Sequence, residues 1–458
     1  MTGKEIRLNV LEQCNPSFQA FGLWTHPRDR STDYTSIDFW VDYARIAERG
    51  LFDNFFIADV YGVPDVFAGT PDAALRNGSQ GPSLDPVVLI SAMAYATESL
   101  CFTVTGNATY EMPYSFARRM STLDHMTGGR LGWNVVTGYL DSGARAMGRD
   151  GLGPHDERYA VADEFLAGVY RLWEESWEDG AVLRDKENGL YVDPSKVHAI
   201  DFPGKHYRFN TIHATETSPQ RTPVIFQAGA SERGRRFAAQ HAEGIYINGT
   251  SRAVVADQIA NFRKRVADAG RDPQSVKVFA GVTVIVDDTT EAAHERYAEY
   301  KRYTSVEGLM ALMSGAMGID LSQYPLDEPL EFQENDANRT VMENMTKHNR
   351  WTLREAMEAK ALSGTNIPLV GSPDEVAEEL IGWIDDTDLD GFNIARTVNH
   401  ETLENFVDLV IPALQERRRY KTSYSEGTFR QKLFGSGSRI GVDHPARRGW
   451  STDDVVAQ

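Results

Sequence analysis

Cysteine is nearly absent from this 458-residue chain: only Cys14 and Cys101 occur. They lie far apart and in no CxxC pattern, which argues against a disulfide framework and a structural zinc site. Both read as buried free thiols. No apolar run approaches the roughly 18 residues that span a bilayer, and the N-terminal MTGKEIRLNV lacks the apolar core of a signal peptide. A cytoplasmic location with no membrane partner is expected. Positive charge is in deficit, with 47 Lys and Arg against 66 Asp and Glu and a formal net charge of -19. Nucleic acid and anionic membranes require a basic face, so they are excluded as expected partners. A small molecule fits better. With 41% hydrophobic and 25% charged residues, the chain is ordinary for a globular enzyme and long enough for a large core.

Short apolar runs alternate with longer amphipathic stretches, the pattern of parallel βα units. Strands are predicted at 6–12, 52–59, 100–107, 130–138, 222–229, 244–250, 276–286 and 391–397. Eight such runs predict an α/β fold, a (β/α)8 TIM barrel. In SIDFWVDYARIAERG, Ile37, Trp40, Val41, Ala44 and Ala47 follow the helical period and Gly50 reads as the C-terminal cap. SPDEVAEELIGWI opens with Ser372 as N-cap, Pro373 in the first turn and Glu375 at capping-box spacing.

Two connections exceed the roughly 30 residues of a barrel unit. Residues 139–221 and 287–390 are predicted insertions. The first carries a helix in ERYAVADEFLAGVYRLWEES and one hairpin in LYVDPSKVHAIDFPGKHYRF; the second is helical around EGLMALMSGAMG. At least one is expected to cover the catalytic mouth. The chain thus divides into a barrel over 1–416 with these insertions and a basic C-terminal extension over 417–458. Between Arg417 and Arg448 that extension holds nine Lys or Arg against Glu426 and Asp443. It is either a solvated end or an arm that docks on an acidic neighbour through Tyr420, Tyr424, Phe429, Leu433 and Phe434.

Barrels of this class put their chemistry at the C-terminal strand ends, here Glu12, Asp59, Asn107, Thr137, Gly229, Thr250 and Arg396. No lysine is among them, which argues against Schiff-base chemistry. HxH, HExxH and GxSxG are also missing. The turn Ala228-Gly229-Ala230-Ser231 lies between an apolar run and a helix, where backbone N–H groups and one hydroxyl can hold a phosphate. In HDERY, His155 and Tyr159 stand at i, i+4 on one helical face; from spacing alone a surface pair is the readier reading.

The runs ERGLFDNFFIAD, PYSFARRMSTLDHMTGGRLGWNVVT, HDERYAVADEFLAGVYRLWE, SPQRTPVIFQAGASERGRRFAA and DGFN, spread over about residues 6–435, carry a resemblance. They resemble the flavin-dependent monooxygenases of the bacterial-luciferase-like superfamily, typified by the nitrilotriacetate, dibenzothiophene-sulfone, dimethylsulfide and long-chain alkane monooxygenases. The resemblance implies that FMN binds as FMNH2 with its phosphate at Ser231. O2 would be the co-substrate through a peroxyflavin, a separate NADH-dependent flavin reductase the partner, and a homodimer or homotetramer the assembly. It places Asp59 beside the isoalloxazine, Thr105 against the ring, and Asn134, Val136 and Thr137 along the pocket. His155 and Tyr159 would reach the phosphate, with Ala230 and Ser231 completing its cradle. No GxGxxG follows a strand, which fits a two-component system. Members often carry Ser where this chain has Gly138, so that position is left out of the site. Phe18, Phe21 and Tyr139 are candidate substrate-pocket residues that could stack on a planar heteroaromatic, or simply pack the barrel mouth. Alkane, sulfide, sulfone and heteroaromatic substrates stay open. Riboflavin cleavage, as in the related riboflavin lyase, is one alternative; a non-catalytic flavin-binding protein and a sugar-phosphate isomerase are others.

Overall fold

The computed structural model describes residues 3–249, 251–328 and 352–448. Eight parallel strands close on themselves: β1 (Arg7–Gln13), β2 (Asn54–Ala58), β3 (Cys101–Asn107), β4 (Leu131–Val136), β5 (Val224–Gln227), β6 (Gly244–Ile247), β7 (Lys277–Val286) and β8 (Gly391–Ala395). Each pairs with its neighbours in chain order, and β8 returns to β1 through Arg7 opposite Gly391. The eight predicted runs are these strands; the residue taken to end the sixth, Thr250, lies outside the described residues. Strands buried on both faces read as unbroken apolar runs, which made them findable.

β7 is longer than its neighbours. Its first half closes the barrel, while Val282–Val286 also pair with a further strand, Ile367–Gly371, outside the closure. That five-residue segment, IPLVG, went unread because it is short and has proline in its second place.

The helix Ile37–Arg49 buries Phe39, Trp40, Tyr43, Ala44 and Ala47. Its end differs from expectation. Gly50 keeps φ -80, and the left-handed residue is Leu51 at φ 57. Glycine is needed at 50 for space instead, since a Cβ there would lie 2.5 Å from Val407 Cγ2. The helix Pro373–Thr387 has the predicted capping box: Ser372 N–H donates to Glu375 Oε2 at 2.9 Å and Glu375 N–H to Ser372 Oγ at 3.4 Å.

Residues 139–221 carry the long helix His155–Glu174 and two small hairpins rather than one. Val182–Asp185 pairs with Leu190–Val192, and Ile200–Pro203 with Arg208–Thr211. The Asp185 carboxylate accepts from the amides of Glu187 and Asn188, each at 3.0 Å, which folds LYV back onto the strand before it. Asp193 and Pro194 then start a short 3-10 turn that separates the two hairpins. In residues 287–390 the Met-rich helix Val306–Met317 buries Leu309, Met310 and Met313, which cluster with Phe21, Leu353 and Met357. Among the described residues no helix is long and apolar enough to cross a membrane.

The extension folds beneath its own barrel. Phe429 and Leu433, 2% exposed each, pack with Cys101, Val224 and Phe226. Tyr420 donates its hydroxyl to Leu51 O at 2.6 Å and Tyr424 to Phe52 O at 2.8 Å. Arg430 is buried and grips both oxygens of Glu243, at 2.6 and 2.8 Å. The apolar groups expected to anchor a neighbour are therefore consumed within the chain: a barrel's open end leaves apolar rings in water unless something covers it. Four rings continue upward from this floor. Phe429 stacks on Phe226 (centroids 5.7 Å apart), Phe226 on Tyr246 (5.5 Å) and Tyr246 on Phe56 (4.5 Å).

Candidate active site

The C-terminal ends of β2, β3 and β4 open into a cleft lined by Asp59, Tyr61, Thr105, Asn107, Tyr110, Val136, Gly138 and Tyr139. Alternation along the strands explains the set, since residues two apart share the interior face. Thr105 is fixed by two bonds: its hydroxyl donates to Ile57 O at 3.1 Å and accepts from Asn134 Nδ2 at 3.0 Å. Asn134 Oδ1 and the Tyr110 hydroxyl are buried without a partner among the described residues. Buried polar atoms are ordinarily paired, so these two are suited to a ligand.

Gly138 sits at φ 75 with Tyr110 OH 3.0 Å and Asn107 Nδ2 3.1 Å from where a Cβ would be. Backbone conformation and crowding both call for glycine at the position set aside from the predicted site. Burial pushes the Asp59 carboxyl up to about 7, against a single bond from the Val60 backbone N–H. It can exchange a proton near neutral pH.

A second element lies at β5. Ser231 caps the helix Glu232–His241, accepting from Gly234 N at 3.0 Å; the first turn of a helix carries amides that lack intrahelical partners. Gly229 and Gly234 crowd one hydroxyl, for a Cβ on either would be 2.7 Å from Tyr159 OH. Gln227 orders the turn, accepting from Gly229 N at 2.7 Å and donating to Tyr159 OH at 3.4 Å. A helix N-terminus, a hydroxyl and a phenol converge here where side chains are excluded, a cradle suited to an anion. His155, whose ring lies 5.1 Å from that of Tyr159, opens the neighbouring helix and is exposed.

The structure thus brings Asp59, Thr105, Asn134, Val136 and Tyr139 to the cleft, with Thr137 at its edge, and Tyr159 and Ser231 to the cradle, with Ala230 in the turn between Gly229 and Ser231. Phe18 is buried with Leu11, Phe56 and Ala395 inside the mouth. Phe21 does not reach the cleft; fully buried, it belongs to the Met-rich cluster, where apolar helices cover it. Arg158, which sequence reasoning passed over, bridges the two elements. It donates to Gly138 O, its Nε is buried without a partner, and among the described residues no carboxylate forms an ion pair with it. A hint was available, for an arginine in a helix's first turn opposes the macrodipole unless something else holds it. Gln80 was also missed. It accepts from Tyr139 OH at 2.6 Å while holding φ 55, an unusual conformation for a non-glycine residue beside a site.

A closed parallel barrel with its polar residues gathered at the strand ends defines a (β/α)8 enzyme. The luciferase-like monooxygenase model matches residues 18–387, and the chain belongs to that family of monooxygenases. Dimethyl-sulfide monooxygenase of Hyphomicrobium sulfonivorans is 45% identical over 447 residues, covering 97% of this chain and 93% of that protein. Long-chain alkane monooxygenase of Geobacillus thermodenitrificans (strain NG80-2) is 44% identical over 447 residues, covering 97% and 98%. The crystal structure of DmoA from Hyphomicrobium sulfonivorans is similar with a TM-score of 0.92 at 45% identity, over 97% of this chain and 95% of that one. Riboflavin lyase, solved with modified FMN and substrate riboflavin, gives 0.89 at 34% identity, over 97% and 99%.

Proposed function

We propose that this chain is an FMNH2-dependent, two-component monooxygenase that uses O2 to oxygenate or oxidatively cleave a small organic substrate. The carrying observation is the cradle formed by Gly229, Ser231, Gly234 and Tyr159 beside the cleft that Asp59 and Thr105 line. The residues fit the cofactor: the two glycines let the Tyr159 and Ser231 hydroxyls and the helix N-terminus come together as donors for a phosphate, and the unpartnered Asn134 Oδ1 and Tyr110 OH suit polar ring edges.

When bound, reduced FMN supplies the electrons that activate O2. The chain's own residues bind, orient and keep the site dry. Tyr159, Ser231 and the amide of Ala230 would hold the phosphate, with His155 near, and Arg158, which donates to Gly138 O, would supply a cation to the anionic cofactor. Thr105, Asn134, Val136 and Thr137 orient the ring. Asp59 holds or releases a proton at its carboxyl near pH 7. Phe18 and Tyr139 narrow the mouth and exclude water, which protects reactive intermediates from side reactions.

Relatives named for dimethyl sulfide and long-chain alkanes support a small apolar or sulfur-bearing substrate. The riboflavin lyase likeness supports a second reading, oxidative cleavage of riboflavin itself. A separate NADH-dependent flavin reductase supplies FMNH2, and the working form is a cytoplasmic homodimer or homotetramer.

The test supplies photoreduced FMN and 18O2 to the purified chain with alkanes, sulfides, sulfones or riboflavin, followed by mass spectrometry. Labelled product that requires FMNH2 is expected. Robust NADH oxidation by the chain alone would refute the two-component reading. Tight FMN binding with no labelled product from any substrate would favour a flavin-binding protein.

A further inference from the structure

At the opposite end of the barrel, the extension and the starts of β1 and β2 enclose a cavity of about 140 Å³. One water needs roughly 10–15 Å³, so the space is large enough for a polyatomic ion. Three cations line it. Arg7 and Lys421 share a single carboxylate, reaching Asp53 at 2.9 and 2.6 Å. That carboxylate also accepts from Leu8 N at 2.9 Å. The third cation, Lys432, donates to Ser99 O at 2.7 Å and sits 5.3 Å from the Tyr424 ring centroid. Among the described residues it forms no ion pair. Burial pushes its ammonium below the ordinary lysine pKa and Arg130 and Lys421 push the same way, against opposition from Cys101 and the Glu48 carboxylate. A desolvated cation beside other cations is costly without a counter-ion. Glu5, the other carboxylate of the lining, is exposed at the rim, while Ser423 and Ser425 add two hydroxyls to the wall.

We propose that this cavity binds a small inorganic tetrahedral oxyanion, phosphate or sulfate, held by Lys432, Lys421 and the hydroxyls of Ser423 and Ser425. Charge-assisted bonds from two ammonium groups and two hydroxyls suit such an ion better than chloride, which offers no separate oxygens. Seven of the ten lining residues belong to the extension and three, Glu5, Arg7 and Asp53, to the barrel, so the ion ties one to the other. Because unfolding separates the two, binding stabilises the folded chain by mass action. The stacked rings of Phe226 and Phe429 stand between this cavity and the catalytic mouth.

Thermal melts and isothermal titration with sodium phosphate and sodium sulfate, against sodium chloride of equal ionic strength, test the site. They are run with saturating FMN so that the mouth cradle is filled. Both oxyanions are expected to raise the melting temperature by several degrees over chloride, and the tighter binder identifies the resident ion. Lys432→Gln should weaken binding at least ten-fold, whereas Lys432→Arg should retain most of it. The double variant Ser423→Ala, Ser425→Ala changes exposed positions, so it should weaken binding without moving the anion-free melting temperature. Equal shifts from chloride, or undiminished affinity in both Lys432→Gln and the serine double variant, would overturn the proposal. Repeating the titration with Ser231→Ala separates the two sites, for that change leaves the lower cavity intact.

Discussion

A Cβ built on Gly234 would stand 2.7 Å from the hydroxyl of Tyr159, although the two residues belong to different helices. That contact makes the cradle sensitive to a single methyl group. Gly234→Ala should displace the phenol and weaken FMN binding ten-fold or more, as should Tyr159→Phe, since a charge-assisted bond contributes roughly 1.5–3 kcal/mol. Fluorescence titration with FMN checks both. Unchanged affinity in both variants would put the phosphate elsewhere.

Asp59 gives the ligand-free protein a pH signature. Its carboxyl rises from 3.8 to about 7 on burial, so between those values the folded state binds more protons than the unfolded one. Stability from this group therefore falls as pH rises through the window and is constant above it. At about 1.4 kcal/mol per unit, the shift bounds the effect at about 4 kcal/mol. Asp59→Asn should become more stable relative to the parent at pH 8 than at pH 4.5. Urea melts at the two values measure the difference; parallel curves would show Asp59 ionised throughout.

Arg158 lies between cleft and cradle without a carboxylate partner among the described residues. Arg158→Gln should reduce FMN affinity by a factor of several, with Arg158→Lys intermediate, because the lysine keeps the charge but loses the planar fork. If binding is electrostatic at this residue, raising salt should narrow the gap between parent and Gln variant. A salt-independent gap would indicate a packing role.

The extension should matter to folding more than to assembly. Phe429→Ala removes a ring from the barrel floor, which costs about 3–5 kcal/mol. Arg430→Met leaves Glu243 buried without its partner, with a comparable loss. Truncation after Glu416 should lower the melting temperature or the soluble yield. Denaturant melts of the point variants, with light scattering as control, would reveal the opposite case: normal stability and a smaller particle.

Much of this architecture was legible because parallel strands such as Val224–Gln227 are buried on both faces and stand out as apolar runs. Ser372 and Glu375 announced their capping box by spacing alone. The site was readable where a motif forces geometry, as the glycines around Ser231 do. Phe21 misled, since position along the chain places it near the mouth while burial among methionines depends on a distant helix. Arg158 and Gln80 act through partners 20 and 59 residues away, Gly138 and Tyr139, which no local pattern reveals. The extension was misjudged for a related reason. Basic residues in sequence suggest a solvated or docking arm, yet Arg430 answers to Glu243, 187 positions earlier.

The column of rings from Phe56 down to Phe429 plugs the barrel's axis. Among the described residues aromatic faces fill that axis between the floor and the cleft, so the two ends are separated by stacked rings. If the proposed function holds, a cofactor and substrate that both enter from the cleft side would have to bind in order, the deeper one first.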